Sequence, residues 1–225
     1  MRLVVLLYGV VSYALFLCVF LYAIGFVGGF GVPKSIDGGA VGDKSTAFLI
    51  NAVLLSVFAI QHSVMARPAF KARWIKVVGA AAERSTYVMA TNLLFIALFW
   101  LWRPMPDSVW HVEGAFATVL WVGFCAGWLT VLVSTFLIDH FDLFGVRQVL
   151  LHFRGAEYTP PSYVERSLYR FVRHPIMLGF LVAFWCAPSM SEGHLLFTVM
   201  STAYVVVAIH IEERDLVNAH GDAYR

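Results

Sequence analysis

The sequence predicts an all-α polytopic membrane protein with about five to six transmembrane helices. Of its 225 residues, 60% are hydrophobic and 13% are charged, whereas soluble domains are about 45–50% apolar and about 25% charged. The mean hydropathy is +0.76, so a soluble fold could not bury this much apolar surface. The length fits a single membrane domain that covers 1–225.

Four apolar runs within 1–138 predict four transmembrane helices. The runs cover about 3–26, 46–65, 85–102 and 115–138. About 20 apolar residues are enough to cross a hydrocarbon core of about 30 Å. The first run is longer than the apolar part of a signal peptide, so we expect it to remain in the protein. Pro104 and Pro106 predict a turn between the third and fourth spans, because proline cannot continue a helix.

The part from 139 to 225 has a different pattern, which predicts a helical hairpin. The apolar run 176–187 has only 12 residues, too few to cross the membrane as a straight helix. A polar break at 188–194 follows, and the chain is apolar again over 195–211. We therefore expect two short or tilted helices that fold back on each other.

The positions of lysine and arginine predict which ends of the spans face the cytoplasm. The segments 67–84 and 139–175 carry five basic residues each, whereas the loops 28–45 and 103–114 share three. Cytoplasmic loops of membrane proteins carry an excess of Lys and Arg. We therefore expect both basic segments, the N-terminus and the end of the hairpin in the cytoplasm.

Two polar clusters at the ends of the hairpin predict a functional site. Arg173-His174-Pro175 precedes the first arm, and Glu212-Glu213 follows the second arm. Ionisable residues at the edge of a span are costly, so they indicate function by default. Because a hairpin brings its two ends together, we expect one cytoplasmic site for a polar small molecule.

Other features argue against several classes of protein. A net charge of +2 gives no support for nucleic-acid binding. The three cysteines lie in apolar runs without the spacing of a zinc site or a disulfide framework, so we expect no metal. A haem-binding or electron-transfer protein, with His62 and His140 as axial ligands, stays an alternative. A transporter or channel would place polar residues at mid-span, where this sequence has no charge.

The polar clusters also form part of a motif. Arg-His-Pro-Ile-Met-Leu-Gly at 173–179, Glu-Glu at 212–213 and Gly-Asp-Ala-Tyr at 221–224 resemble the isoprenylcysteine carboxyl methyltransferase superfamily of membrane enzymes. Met177 and His220 stand where that superfamily usually has tyrosine and phenylalanine. The resemblance implies S-adenosylmethionine as the cofactor, held by Arg173, His174, Pro175, Gly179, Glu212 and Glu213.

Three further segments narrow the resemblance. The segments 61–68, 83–87 and 134–145 resemble the methanethiol S-methyltransferase branch, which is bacterial. The resemblance implies S-methylation of methanethiol to dimethyl sulfide at the cytoplasmic side of a bacterial inner membrane. We expect the small thiol substrate and the lipid bilayer as partners, and no obligate protein partner. Another thiol, a prenylcysteine carboxylate and a lipid amine are alternative methyl acceptors.

The charges of the implied cofactor fit those of the residues expected to hold it. S-adenosylmethionine has a carboxylate, an ammonium group, a ribose diol and a sulfonium cation. Arg173 can bind the carboxylate through two parallel hydrogen bonds. Glu212 or Glu213 can accept hydrogen bonds from the ammonium group or the ribose hydroxyls.

Methyl transfer to a thiol also favours a base, because only the thiolate is a good nucleophile. His140, at the end of the fourth span, is the first candidate, and Asp142 is a candidate to orient it. Residues two apart on a helix do not face each other, so that pairing needs a non-helical backbone. His62, at the end of the second span, is the second candidate. Arg84 is a candidate to recognise the cofactor or to favour the thiolate.

Overall fold

The computed structural model describes residues 1–160 and 172–220, with side chains up to residue 214. This part of the chain is mostly helical, which confirms the all-α expectation. The helices are α1 (Arg2–Gly28), α2 (Lys44–Ala66), α3 (Pro68–Val78), α4 (Ala80–Leu101), α5 (Gly114–Ile138), α6 (His140–Leu143), α7 (Val146–Arg154), α8 (Pro175–Trp185) and α9 (Glu192–His220). The short strands β1 (Ser108–His111) and β2 (Ser189–Ser191) pair in antiparallel orientation.

Five of the described helices are long and apolar enough to cross a membrane: α1, α2, α4, α5 and α9. The first four correspond to the four runs expected from the sequence, and the polytopic membrane fold is confirmed. Large apolar side chains point outward from these helices, and Trp100 and Phe116 are 77% and 76% exposed. Helix α8 has only 11 residues, so it cannot cross the hydrocarbon core alone.

The second arm of the C-terminal hairpin is longer than expected. Helix α9 has 29 residues, so of the two expected alternatives, a short or a tilted helix, this arm is not short. The physical reason is a helix cap, because the Ser191 hydroxyl accepts a hydrogen bond from the His194 backbone N–H at 3.0 Å. The helix therefore begins inside the segment expected as a break and continues past Glu212 and Glu213.

The two ends of the helix bundle differ in charge. At one end, which we call the basic end, α2 and α5 stop and α4 and α8 begin. The described Lys and Arg residues at the basic end are Arg2, Arg67, Lys71, Arg73, Lys76, Arg84, Arg147, Arg154, Arg173 and Arg214. The opposite end carries Lys34, Lys44 and Arg103. Both strands and the loop between α1 and α2 also lie at the opposite end.

Aromatic side chains form the core of the bundle near the opposite end. Phe26 of α1 and Trp102 at the end of α4 are both 0% exposed, and their ring centroids lie 6.0 Å apart. The Trp102 indole N–H donates to the Ile36 carbonyl at 2.9 Å. A buried tryptophan usually finds a partner for this N–H. Here the bond anchors the loop between α1 and α2 to α4.

The buried Asn51 of α2 closes the turn after α4. Its amide nitrogen donates to the Arg103 carbonyl at 2.7 Å, and its amide oxygen accepts from the Arg103 backbone N–H at 2.9 Å. One amide side chain can satisfy both backbone groups of a residue in this way. The pair ties α2 to α4 at the opposite end and so keeps their other ends side by side.

Glycines allow α5 and α8 to pack in backbone contact. A Cβ added at Gly127 of α5 would lie 2.5 Å from the Ala183 nitrogen and 2.7 Å from the Gly179 carbonyl oxygen. A Cβ added at Gly179 would lie 2.9 Å from the Val131 nitrogen. Small residues at such contacts are typical of membrane helices. Gly179, expected beside the cofactor, therefore packs against α5 and holds the start of α8 in place.

Candidate active site

The local sequence His174-Pro175 sets the point at which α8 begins. Pro175 occupies the first turn of the helix, where its missing N–H is not needed. It is fully buried. His174 is the capping residue, with φ −127° and ψ 65°. The imidazole is therefore presented at the basic end, directly before the helix.

The structure brings together the two polar clusters that the sequence places at the ends of the hairpin. His174 Nδ1 lies 3.6 Å from Glu212, and His174 Nε2 lies 3.4 Å from Glu213. The Arg173 guanidinium lies 3.5 Å from Glu213. We call these four residues the carboxylate cluster. The distances exceed the roughly 2.7–2.9 Å of strong charge-assisted hydrogen bonds, so both carboxylates retain acceptor capacity.

His62 belongs to a hydrogen-bonded group with a tyrosine and a threonine, which we call the His62 group. The Tyr87 hydroxyl lies 2.8 Å from His62 Nε2, and Thr91 Oγ1 lies 3.4 Å from His62 Nδ1. Thr91 donates its own proton to the Tyr87 carbonyl, so its oxygen accepts from Nδ1–H. Nε2 therefore carries the lone pair and accepts from the Tyr87 hydroxyl.

Arg84 covers the tyrosine of the His62 group. Its guanidinium carbon lies 5.2 Å from the centre of the Tyr87 ring, within the range of a cation–π contact. Its Nε donates to the Leu143 carbonyl at 2.7 Å. Arg84 and Tyr87 are three residues apart on α4 and therefore share one helix face. This spacing is the signal in the sequence that could have revealed Tyr87.

Tyr204 of α9 packs beside the His62 group, on the helix that also carries Glu212 and Glu213. Its ring centroid lies 6.3 Å from that of His62. Glu212 lies further along the same helix, about 12 Å from Tyr204 along the helix axis. The His62 group and the carboxylate cluster therefore lie at the same end of the bundle, with α9 running from one to the other. Sequence reasoning missed Tyr204 because it lies in a uniformly apolar run.

His140 forms an equivalent group with Tyr13 and Thr135, which we call the His140 group. The Tyr13 hydroxyl lies 2.8 Å from Nε2, and Thr135 Oγ1 lies 2.8 Å from Nδ1. The imidazole stacks on Phe136 with ring centroids 4.1 Å apart, and the residue is 3% exposed. The hydrogen bonds of His140 thus lead to α1 and α5, whereas those of His62 lead to α4.

Asp142 does not orient His140 as the sequence suggested. The Asp142 carboxylate accepts from Arg147 at 3.0 Å and from the Tyr158 hydroxyl at 3.1 Å. The physical reason is that His140 and Asp142 share the one-turn helix α6, where side chains two apart diverge. Asp139 supplies the cap of this turn, since its carboxylate accepts from the Asp142 backbone N–H at 3.2 Å.

The burial of His140 predicts a loss of stability in acid. Burial lowers the pKa of His140 below its ordinary value, although Asp139 acts against this shift. A histidine with a depressed pKa stabilises the fold above its ordinary value of about 6.5. That contribution is lost as the pH falls below about 6.5 and through the folded-state pKa. We expect the melting temperature to fall less steeply in acid for His140→Gln than for the wild type. The same slope of melting temperature against pH in His140→Gln and in the wild type would contradict the contribution assigned to His140.

Part of the expected motif lies outside the described residues. This holds for the segment 221–224, which the family resemblance adds to the two polar clusters. The described parts of the motif and the His62 and His140 groups all lie at the basic end.

The sequence of the chain matches a known protein family over most of its length. The family model described as NnrU protein matches residues 49–217. The chain belongs to the NnrU family. The NnrU match includes the carboxylate cluster and the His62 group, whereas Tyr13 of the His140 group lies outside it.

Several curated relatives of this NnrU protein carry the name methanethiol S-methyltransferase. Methanethiol S-methyltransferase 2 of Bradyrhizobium diazoefficiens is 53% identical, over 100% of this chain and 86% of the relative. The Mycobacterium tuberculosis protein is 51% identical, over 100% of this chain and 92% of the relative. The Crocosphaera subtropica protein is 46% identical, over 99% and 88%. No solved structure matches the chain significantly.

Proposed function

We propose that this protein methylates the sulfur of methanethiol, with S-adenosylmethionine as the methyl donor, and releases dimethyl sulfide. One structural observation carries the proposal: the carboxylate cluster and the His62 group lie at the same end of the bundle, and Tyr204 of α9, the helix that carries both glutamates, packs beside His62. The carboxylate cluster supplies charges that match a zwitterionic methyl donor, and the His62 group supplies a base. The names of relatives 45–53% identical to this chain support the same reaction.

The donor set of the carboxylate cluster fits S-adenosylmethionine. The Arg173 guanidinium matches a carboxylate, and Glu212 and Glu213 match an ammonium group and ribose hydroxyls. When bound, this donor supplies an electrophilic methyl group on a sulfonium cation. The role of His174 is to hold the two glutamates in position, because each of its ring nitrogens faces one of them.

The His62 group can accept the proton of the substrate thiol. The Tyr87 hydroxyl donates to His62 Nε2, so Tyr87 can pass its proton to the imidazole while it takes the proton from the thiol. The thiolate then carries the lone pair that forms the new carbon–sulfur bond. Thr91 fixes the tautomer that this transfer needs, since it accepts from Nδ1–H. We therefore place the base at His62 and give His140 a structural role.

We place the basic end in the cytoplasm. The described residues carry ten Lys and Arg at this end and three at the opposite end, and cytoplasmic segments are enriched in these residues. The carboxylate cluster would then face the compartment from which a soluble, charged donor can reach it.

A headspace assay tests the reaction. Purified protein in detergent or nanodiscs is supplied with S-adenosylmethionine and one acceptor at a time: methanethiol, a longer thiol, a prenylcysteine carboxylate or a lipid amine. We expect dimethyl sulfide with methanethiol and a lower rate with each other acceptor. Turnover of another acceptor without dimethyl sulfide would contradict the proposal. A Soret band in the purified protein would favour the haem-binding alternative.

Loss of the Arg173 charge is expected to weaken donor binding. A charge-assisted hydrogen bond contributes about 1.5–3 kcal/mol, so Arg173→Ala should raise the Kd for S-adenosylmethionine about 10-fold to 150-fold. Isothermal titration calorimetry measures this change. Arg154→Ala is the control, because Arg154 is an exposed arginine at the same end. Equal Kd values for Arg173→Ala and the control would remove Arg173 from the donor site.

A further inference from the structure

A cleft lies at the opposite end of the bundle, away from the proposed reaction site. It is an open groove with a volume of about 720 Å³. Helices α2 and α9 form its walls, with Lys44 and Glu192 at its rim and Phe48, Leu195 and Val199 along its apolar part. Nothing in the proposed methyl transfer uses this cleft.

Lys44 and Glu192 line the rim of the cleft, and Asp107 contacts Lys44 from beside it. Lys44 Nζ lies 2.6 Å from Glu192 and 3.4 Å from Asp107. The side chains of Lys44 and Asp107 are 58% and 72% exposed, and that of Glu192 is 32% exposed. The three residues together carry a net charge of −1, so they favour a ligand that brings a positive charge.

The position of the cleft relative to the membrane selects an amphipathic ligand. Lys44 and Glu192 are the first residues of two spans, so the rim lies where the hydrocarbon core meets the headgroup region. Phe48 and Val199 follow one to two turns further into their spans and are 51% and 48% exposed. A ligand of the cleft must therefore place a charged group at the rim and an apolar chain along the wall.

We propose that the cleft binds a phospholipid with a primary ammonium headgroup, such as phosphatidylethanolamine. The ammonium group donates to Glu192 and Asp107, and the Lys44 ammonium, which has three donors, donates to the lipid phosphate. A choline headgroup has no N–H to donate. An anionic headgroup without an ammonium meets two carboxylates and one cation, so its net interaction is unfavourable. The acyl chain packs between α2 and α9.

Lipid retention measured by native mass spectrometry tests this proposal. The full chain is released from nanodiscs that contain equal amounts of phosphatidylethanolamine, phosphatidylcholine and phosphatidylglycerol. We expect the wild type to retain phosphatidylethanolamine about fivefold or more over each other lipid. Equal retention of the three lipids, or a preference for phosphatidylglycerol, would overturn the proposal.

Substitutions at the rim test whether the preference for phosphatidylethanolamine arises at this cleft. Glu192→Gln and Asp107→Asn are each expected to bring the retention ratio close to one. Asp107 lies outside the helices, so its variant keeps the test valid if Glu192→Gln disturbs the start of α9. The control is Glu113→Gln, because Glu113 is a carboxylate at the same end with a side chain 85% exposed. A wild-type ratio in both rim variants would show that the preference arises elsewhere.

Discussion

Replacement of His62 by alanine is expected to lower kcat for methanethiol by about 100-fold or more, since a positioned base contributes about 10²–10⁴-fold. The reason is geometric: His62 Nε2 carries the lone pair and lies 2.8 Å from the Tyr87 hydroxyl, at the same end of the bundle as the carboxylate cluster. The Kd for S-adenosylmethionine should change little, because His62 is assigned to the thiol. Initial rates of dimethyl sulfide formation and a calorimetric titration measure the two quantities.

A pH profile separates a base from a structural residue at this position. The rate of His62→Ala should rise as the pH increases, because more of the thiol is then ionised in solution. A purely structural defect would not be rescued in this way. His152→Ala is the matched control, since His152 lies on α7 at the same end. Full turnover in His62→Ala would remove His62 as the base.

Measurements of kcat and melting temperature on His140→Ala distinguish the role of His62 from that of His140. His140→Ala is expected to lower the melting temperature, because its ring packs on Phe136 and its nitrogens bind Tyr13 and Thr135. Its kcat should fall less than about tenfold, below the usual contribution of a general base. A loss of about 100-fold in His140→Ala, with normal turnover in His62→Ala, would return the base to His140.

The second large effect is expected at the crossing of α5 and α8. Gly127→Leu should destabilise the protein by about 3 kcal/mol or more, because overpacking costs typically about 1–3 kcal/mol and the obstacle here is backbone. An added Cβ alone would lie 2.5 Å from the Ala183 nitrogen. The displacement of α8 would move His174 and with it the carboxylate cluster. Thermal unfolding in detergent and the headspace assay should both show the loss.

Ala126→Leu is the matched control for this crossing. Ala126 precedes Gly127 on α5 and is exposed on the outer surface of the helix, where hydrocarbon surrounds the protein. The same side chain added there should leave the melting temperature and the turnover near those of the wild type. Similar melting temperatures for Gly127→Leu and Ala126→Leu would contradict the close packing of α5 and α8.

Much of the fold could be predicted from the sequence because a bilayer imposes simple requirements on it. A span needs about 20 apolar residues, so the four runs before residue 139 were sufficient to predict α1, α2, α4 and α5. The turn with Pro104 and Pro106 and the shortness of α8 followed from local chemistry. The start of α9 did not, because the cap at Ser191 lies among residues that resemble a loop.

The contacts between distant parts of the chain could not be predicted from one sequence. Tyr13 and His140 are 127 residues apart, and an apolar span gives no sign that one of its tyrosines will face a particular histidine. The carboxylate cluster was predictable because a hairpin fixes which residues meet. Asp142 shows that closeness in sequence does not guarantee a contact. It lies two residues after His140, but the helical turn of α6 directs the two side chains apart.

Arg84 couples the His62 group to the helical turn that begins with His140. Its guanidinium lies over Tyr87 of the His62 group, and its Nε binds the carbonyl of Leu143, which ends the turn that begins with His140. Residues that share a partner in this way have non-additive effects on free energy, with coupling of about 0.5–3 kcal/mol. The free energies of single substitutions at His140, Arg84 and Tyr87 therefore cannot be added to give the contribution of the whole site.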